Sequence, residues 1–351
     1  MLSEYFDDYA TRYRPYKGGR WCYEDGLIYR GLELLHVETG DPRWLAHLHR
    51  LADPQIGADG TLKGYDLTEY NIDNVMAGRA LMYLYGQTGE ARYLTAADHQ
   101  ARQLATQPRT RSGVFWHKLR YPWQIWLDGL YMGHPFRIAH AQVIGDDAAV
   151  ADSLRQIGTA LDLLFDPATG LHRHAYDEAR EQPWADPCSG LSPAFWARAI
   201  GWLAMALVDV ADLVKADFAP LQARTTAMLE TIAALRIRDG LWLQVIDQPG
   251  LAGNYQETSA SAMFAYAFER GARLGLVSPL PGLTDLLVAQ SVKPRCNGGF
   301  EMVEMCEVAG LGWYEGRFRD GSPEYYVSEA LASDDPKGVG PLMMATALSG
   351  L

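Results

Sequence analysis

Two aspartates stand out by the company they keep. Asp128 lies in QIWLDGLYM, an apolar and aromatic setting at the start of a helical pattern, and Asp73 lies in EYNIDNVMAG at the start of the preceding one. A carboxyl beside an indole in a dry pocket holds its proton more firmly and can act as a general acid. A helix N-terminus works the other way and favours the anion. A second carboxylate close by can decide the contest by like-charge repulsion. Two carboxyl groups at one pocket are the minimum for acid–base work on sugars. Each aspartate also has a plainer use, as an N-cap accepting a bond from a backbone amide of the first turn. The sequence leaves both uses open.

Other residues supply the remaining groups such a pocket needs. His117 and Lys118, in GVFWHKL, bring polar and cationic groups ahead of Asp128, and His174 sits in HRHAYDE. Arg198 opens a further helical pattern between Trp196 and Trp202, and its planar fork suits a carboxylate through two parallel hydrogen bonds. Its alternative is a structural ion pair with one of the many acids. Trp196 and Trp202 offer flat apolar faces to sugar C–H groups. His172 and His174 make a weak metal pattern, with no HExxH and no partner of known spacing, so no metal is expected. No GxSxG elbow, Walker loop or GxGxxG following a strand is present, and no cofactor is expected.

These residues must be positioned by helices. Apolar residues recur at three- and four-residue spacing in GLIYRGLELLHVETG, DNVMAGRALMYLYGQTG and ETSASAMFAYAFERGARLG, each ending in Gly. DPRWLAHLHRLA, EARYLTAADHQARQLA and DDAAVADSLRQIGTALDLLF give partner helices, the pattern of αα-hairpins. Small-residue-rich helices begin near Asp25, Asp73, Asp128, Arg198, Thr258 and Lys337. Their spacing is too irregular for a short-repeat solenoid. Six hairpins, about twelve helices, predict an all-α fold, an (α/α)6 barrel formed as one catalytic domain over residues 1–351. The Ala/Gly-rich helices suit the crowded inner ring and the more charged ones the outer ring. Residues 170–178 and 241–248 read as short strands. The long loops rich in Trp, His, Asp and Arg that precede the inner helices would gather at one end of the barrel.

Composition narrows the function classes. The chain has 351 residues, 43 acidic against 31 basic, and a net charge of −12. That balance argues against nucleic-acid and anionic-membrane partners, which need clustered Lys and Arg. No signal peptide or membrane segment is evident. Cys22, Cys188, Cys296 and Cys306 lie far apart, and the simple expectation is a cytoplasmic enzyme with reduced thiols.

GVFWHK (113–118), QIWLDGLYM (124–132), HAYDE (174–178), WADPCSGLSPAFWARAIGW (184–202), LWLQVIDQ (241–248) and GNYQETSASAMFAYA (253–267) together resemble glycoside hydrolase family 105. These are the unsaturated rhamnogalacturonyl hydrolases and related unsaturated glucuronyl and galacturonyl hydrolases. Cys188 stands where many relatives carry Thr, and no block of the resemblance falls after residue 275. The resemblance implies an (α/α)6 barrel without a metal. It implies a small oligosaccharide substrate ending in a 4,5-unsaturated uronic acid left by a polysaccharide lyase, for example an unsaturated galacturonyl sugar from rhamnogalacturonan. It places the acid/base at Asp128 with Asp73 assisting, and His117, Trp126, His174, Arg198 and Trp202 against the substrate. Hydration of the C4=C5 bond would trigger cleavage, with water deprotonated by Asp128 or Asp73 and the uronate held by Arg198 or Lys118. The expected assembly is a monomer or homodimer. The alternatives are an ordinary inverting glycosidase on the same barrel, a more distant sugar epimerase and a non-catalytic carbohydrate-binding protein.

Overall fold

The computed structural model describes residues 1–296 and 298–350. The expected domain runs to Leu351, which with Asn297 lies outside the described residues. The helices are α1 (Leu2–Arg12), α2 (Tyr23–Thr39), α3 (Pro42–Ala52), α4 (Gly78–Thr88), α5 (Ala91–Thr106), α6 (Leu127–Ile144), α7 (Asp147–Leu164), α8 (Ala197–Val214), α9 (Ala219–Ala234), α10 (Thr258–Arg273), α11 (Leu283–Ser291), the short α12 (Pro323–Val327) and α13 (Pro336–Ser349). Local chemistry sets many of these bounds. Gly40, Gly89 and Gly145 end α2, α4 and α6 in the left-handed conformation that glycine adopts without steric cost. Asp41 then caps α3 and Asp146 caps α7 through their side chains.

Six helices form the inner ring. α2 touches α4, α4 touches α6, and the order continues through α8, α10 and α13 back to α2. Their small residues permit this crowding: a Cβ on Gly340 would lie 2.7 Å from the Leu27 carbonyl oxygen, and one on Gly201 would lie 2.8 Å from Met263 Sδ. The outer helices α3, α5, α7, α9 and α11 each pack on the inner helix before them. This is the (α/α)6 architecture, with one change of phase. Among the described residues α13, which opens the hairpin expected from Lys337, has no outer helix after it. The N-terminal α1 takes the remaining outer place, tied to the residue before the α13 cap by Tyr5 Oη on Asp334 Oδ1 at 2.6 Å and Arg12 Nη2 on Oδ2 at 2.8 Å. Inside the ring, Arg79 of α4 donates to Asp209 of α8 at 3.2 Å, and Tyr266 of α10 bonds the same carboxylate. A buried charge needs such partners, and here they link three inner helices.

Short ladders occur in the connecting loops. Strands β1 (Gln124–Trp126), β2 (Phe165–Asp166), β3 (Leu171–His172) and β4 (Ala175–Asp177) pair as β1 with β4 and β2 with β3, all antiparallel. Residues 170–178 thus contain the expected strands. Residues 241–248 do not form a ladder; Leu243 and Val245 make only isolated bridges, to Gln256 and Trp196. The chain there lies between two neighbours and shares only two backbone bonds with each, Trp242 and Gln244 with 255–257 and Gln244 and Ile246 with 195–197, too few for a ladder.

Among the described residues no helix is long and apolar enough to cross a membrane. All four cysteines are free.

Candidate active site

Because each inner helix is followed by an outer helix that returns, the inner helices run the same way and their N-termini share one end of the barrel. The residues singled out in the sequence sit there. Asp128 is the second residue of α6 and Arg198 the second residue of α8, each just after a tryptophan, Trp126 or Trp196, at the N-cap. Neither aspartate is a cap. The cap position of α6 belongs to Trp126, and Asp73 lies inside a 3-10 turn, Ile72–Val75, whose cap is Asn71. α4 itself starts only at Gly78, later than the start expected at Asp73.

One half of the site is Asp73, His117 and Lys118. Lys118 Nζ lies 2.5 Å from Asp73 Oδ2, and His117 Nε2 lies 3.5 Å from Oδ1. The two loops meet because the Ile72 amide donates to the His117 carbonyl at 3.3 Å. Burial pushes the Asp73 carboxyl up, but the Lys118 ammonium reverses this and leaves it below its ordinary value. Burial pushes His117 down to about 4 against the attraction of Asp73, so its imidazole is neutral near pH 7 and Lys118 supplies the positive charge. The His117 ring stacks on Trp126, with centroids 4.8 Å apart, and Trp126 stacks in turn on Tyr121 at 5.0 Å.

The other half is Asp128, His174 and Tyr326. The β1–β4 ladder sets Trp126 opposite Ala175, and the Leu127 amide donates to the His174 carbonyl at 3.0 Å. This brings His174 Nε2 to 3.2 Å from Asp128 Oδ2, close but not aligned for a hydrogen bond. On its far side, His174 Nδ1 is hydrogen-bonded to the Tyr326 hydroxyl at 2.6 Å. Burial raises the Tyr326 phenol well above its ordinary value, so it keeps its proton.

Trp202 adds an aromatic floor. It stacks on Tyr131 at 5.4 Å and meets Tyr23 edge-on at 6.2 Å, joining α8, α6 and α2. Arg198 is 1% exposed. Its Nη1 donates to Ser259 Oγ at 3.0 Å and to the Cys306 carbonyl at 2.5 Å, and Nη2 makes one long contact, 3.4 Å, with the Glu307 carbonyl. Burial opposes its charge, and neighbours led by Cys306 and Glu257 outweigh that and raise its pKa. Half of the fork is therefore taken by the chain itself. His172 does not join the group. It points away beside Phe165 and lines a separate crevice between α7 and α9. Among the described residues no three His, Cys, Asp or Glu are grouped to hold a metal ion.

Sequence reasoning missed Tyr326, Glu257 and Tyr23. Glu257 is buried as the N-cap of α10 and accepts from the Ser259, Ala260 and Cys306 amides. Its place before a Thr-Ser-Ala helix start was a usable sign. Tyr326, in PEYYV, carried none.

The family model described as Glycosyl Hydrolase Family 88 matches residues 4–348. Protein Atu3128 of Agrobacterium fabrum is 49% identical over 229 residues, 62% of this chain and 98% of that protein. Unsaturated rhamnogalacturonyl hydrolase YesR of Bacillus subtilis is 28% identical over 263 residues, 72% of each. The solved structure of a Clostridium acetobutylicum (C. acetobutylicum) family 105 glycoside hydrolase superposes with a TM-score of 0.92 at 35% identity, covering 99% of this chain and 98% of that one. Matched almost end to end by a family model and by a family 105 structure, this chain belongs to the family 88/105 glycoside hydrolases.

Proposed function

We propose that the protein removes a 4,5-unsaturated uronic acid, galacturonyl in the favoured case, from the non-reducing end of lyase-generated oligosaccharides by hydrating the C4=C5 bond. The observation that carries this is the unlike condition of the two carboxylates. Asp73 is clamped by Lys118, whereas among the described residues the one ionic contact of Asp128 is with His174, across an unaligned 3.2 Å gap. A clamped anion is a poor proton donor and a weak base, so proton traffic falls to Asp128. The name of the relative YesR supports the substrate class.

The steps follow from these roles. Asp128 gives its proton to C4, and the π electrons of C4=C5 form the new C–H bond. Positive charge then appears at C5 and the ring oxygen, where the Asp73 anion offsets it. Water bonds to C5 and returns a proton to Asp128. The hemiketal opens: C5 becomes a ketone, its bond to the ring oxygen breaks, and that oxygen takes a proton at C1. C1 is now a hemiacetal and expels the aglycone alcohol, leaving an aldehyde. Direct attack at C1 is not required, so carboxylate-spacing rules for retention and inversion do not apply. Arg198 reads the uronate through Nη2, and Trp202 with Tyr131 packs against the sugar ring. Loss of the conjugated C=C absorbance of a lyase-generated disaccharide tests the proposal. Cleavage confined to saturated glycosides would favour an inverting glycosidase instead.

A further inference from the structure

An open cleft of about 490 Å³, lined by Glu69, Asn71, Lys118, Leu119 and Arg120, adjoins the Asp73–Lys118 pair. We infer that this cleft is the aglycone subsite and that Arg120 is its specificity-determining contact. The inference rests on the uronide hydrolysis proposed above. Its first support is the direction in which the site opens. His117 and His174 are closed off, whereas the side chains of Asp73, Lys118 and Asp128 are 12%, 14% and 16% exposed. A sugar lying against these groups has its outward path past Lys118, which lines both the site and the cleft.

The cleft walls are also built, not incidental. Buried Gln107 donates through one amide nitrogen to the Tyr70 carbonyl at 3.0 Å and the Trp116 carbonyl at 2.9 Å. One side chain thereby fixes the 69–71 wall against the 116–120 wall. Asn71 Oδ1 accepts from the Asp73 amide at 3.2 Å, and among the described residues its Nδ2 donates to nothing. Arg120 lies over the Tyr121 ring at 4.8 Å and has no ion pair among the described residues. On the other rim of the site, Lys17 is already bonded to Glu24 at 2.8 Å. Free donors beside the half-exposed Leu119 match a sugar, which offers hydroxyl acceptors and an apolar C–H face.

The test compares unsaturated uronides with a methyl aglycone and with a saccharide aglycone. The wild type should show the higher kcat/KM on the saccharide. Arg120→Ala should cut that advantage by about tenfold, through KM, the scale of a lost hydrogen bond to a charged group. Arg120→Lys should restore part of it. Arg120 is exposed, so the variant should fold. An unchanged ratio between the two aglycones in Arg120→Ala would overturn the assignment while leaving the hydrolysis intact. Failure of the wild type to consume the C=C bond of either substrate would overturn both.

Discussion

His174 Nε2 stands 3.2 Å from Asp128 Oδ2, although Asp128 opens α6 and His174 lies in the loop that follows α7. The β1–β4 ladder makes the approach, and Tyr326, from the C-terminal region, fixes the other ring nitrogen. The result is a carboxyl beside an imidazole whose orientation is set from behind. The proton-transfer role proposed for Asp128 calls for such an orienting residue on the far side of its neighbour.

Asp128→Asn removes the transferable proton and keeps the shape. It should fold as the wild type does and lose about 10²–10⁴-fold in turnover. Asp128 is not the cap of α6 and asparagine keeps its volume, so a large stability change is not expected. Matched thermal melts and turnover of a lyase product check this. Near-normal activity would remove Asp128 from the chemistry.

Tyr326→Phe frees His174 Nδ1. The loss of one hydrogen bond, about 1 kcal/mol, corresponds to roughly fivefold. The fall should appear in kcat and not in KM, because Tyr326 acts through His174. A rise in KM alone would place Tyr326 against the substrate instead.

Much of the scaffold was legible because its signals are local. The helix starts read at Asp128, Arg198 and Thr258 fall at Leu127, Ala197 and Thr258, where a turn gives way to a small-residue run. The start at Asp73 failed because Asn71 caps a 3-10 turn before α4 begins. Asp73, His117, Lys118, Asp128 and His174 could be singled out by type and setting, and Trp126 by the family resemblance. The partners that define them could not. Lys118 on Asp73, Tyr326 on His174 and Glu257 behind Arg198 all depend on long-range closure of the barrel, which leaves no pattern in the neighbouring sequence.

Arg198→Lys keeps the charge and loses the fork. It should lower kcat/KM by roughly 10- to 150-fold, the scale of a charge-assisted contact. It should also lower the melting temperature, since Nη1 bonds to Ser259 and to the Cys306 carbonyl are lost. A methyl-ester substrate separates the two effects. If Arg198 reads the uronate, the wild type should discriminate against the ester and the variant much less. Equal discrimination would make Arg198 structural and move attention to Lys118.

Burial pushes His117 and His172 down to about 4 and His134 down to about 3, from 6.5. Each is therefore neutral when folded and takes up a proton near pH 6.5 only when unfolded. Their stabilising effect is complete above about pH 6.5 and lost as pH falls toward 4, by about 3 kcal/mol each. Melting temperature should drop steeply across that window. His172→Gln, outside the site, should flatten the slope. Parallel curves for variant and wild type would contradict the assignment.

The central claim is that hydration of the double bond precedes release of the aglycone. Stopped-flow absorbance of the conjugated C=C, followed together with aglycone release by rapid quench on an unsaturated disaccharide, measures this order directly. Absorbance should fall with or ahead of aglycone release, in a one-to-one amount, and both signals should be lost together in Asp128→Asn. Aglycone released while the absorbance persists would show direct cleavage at C1 and contradict the account.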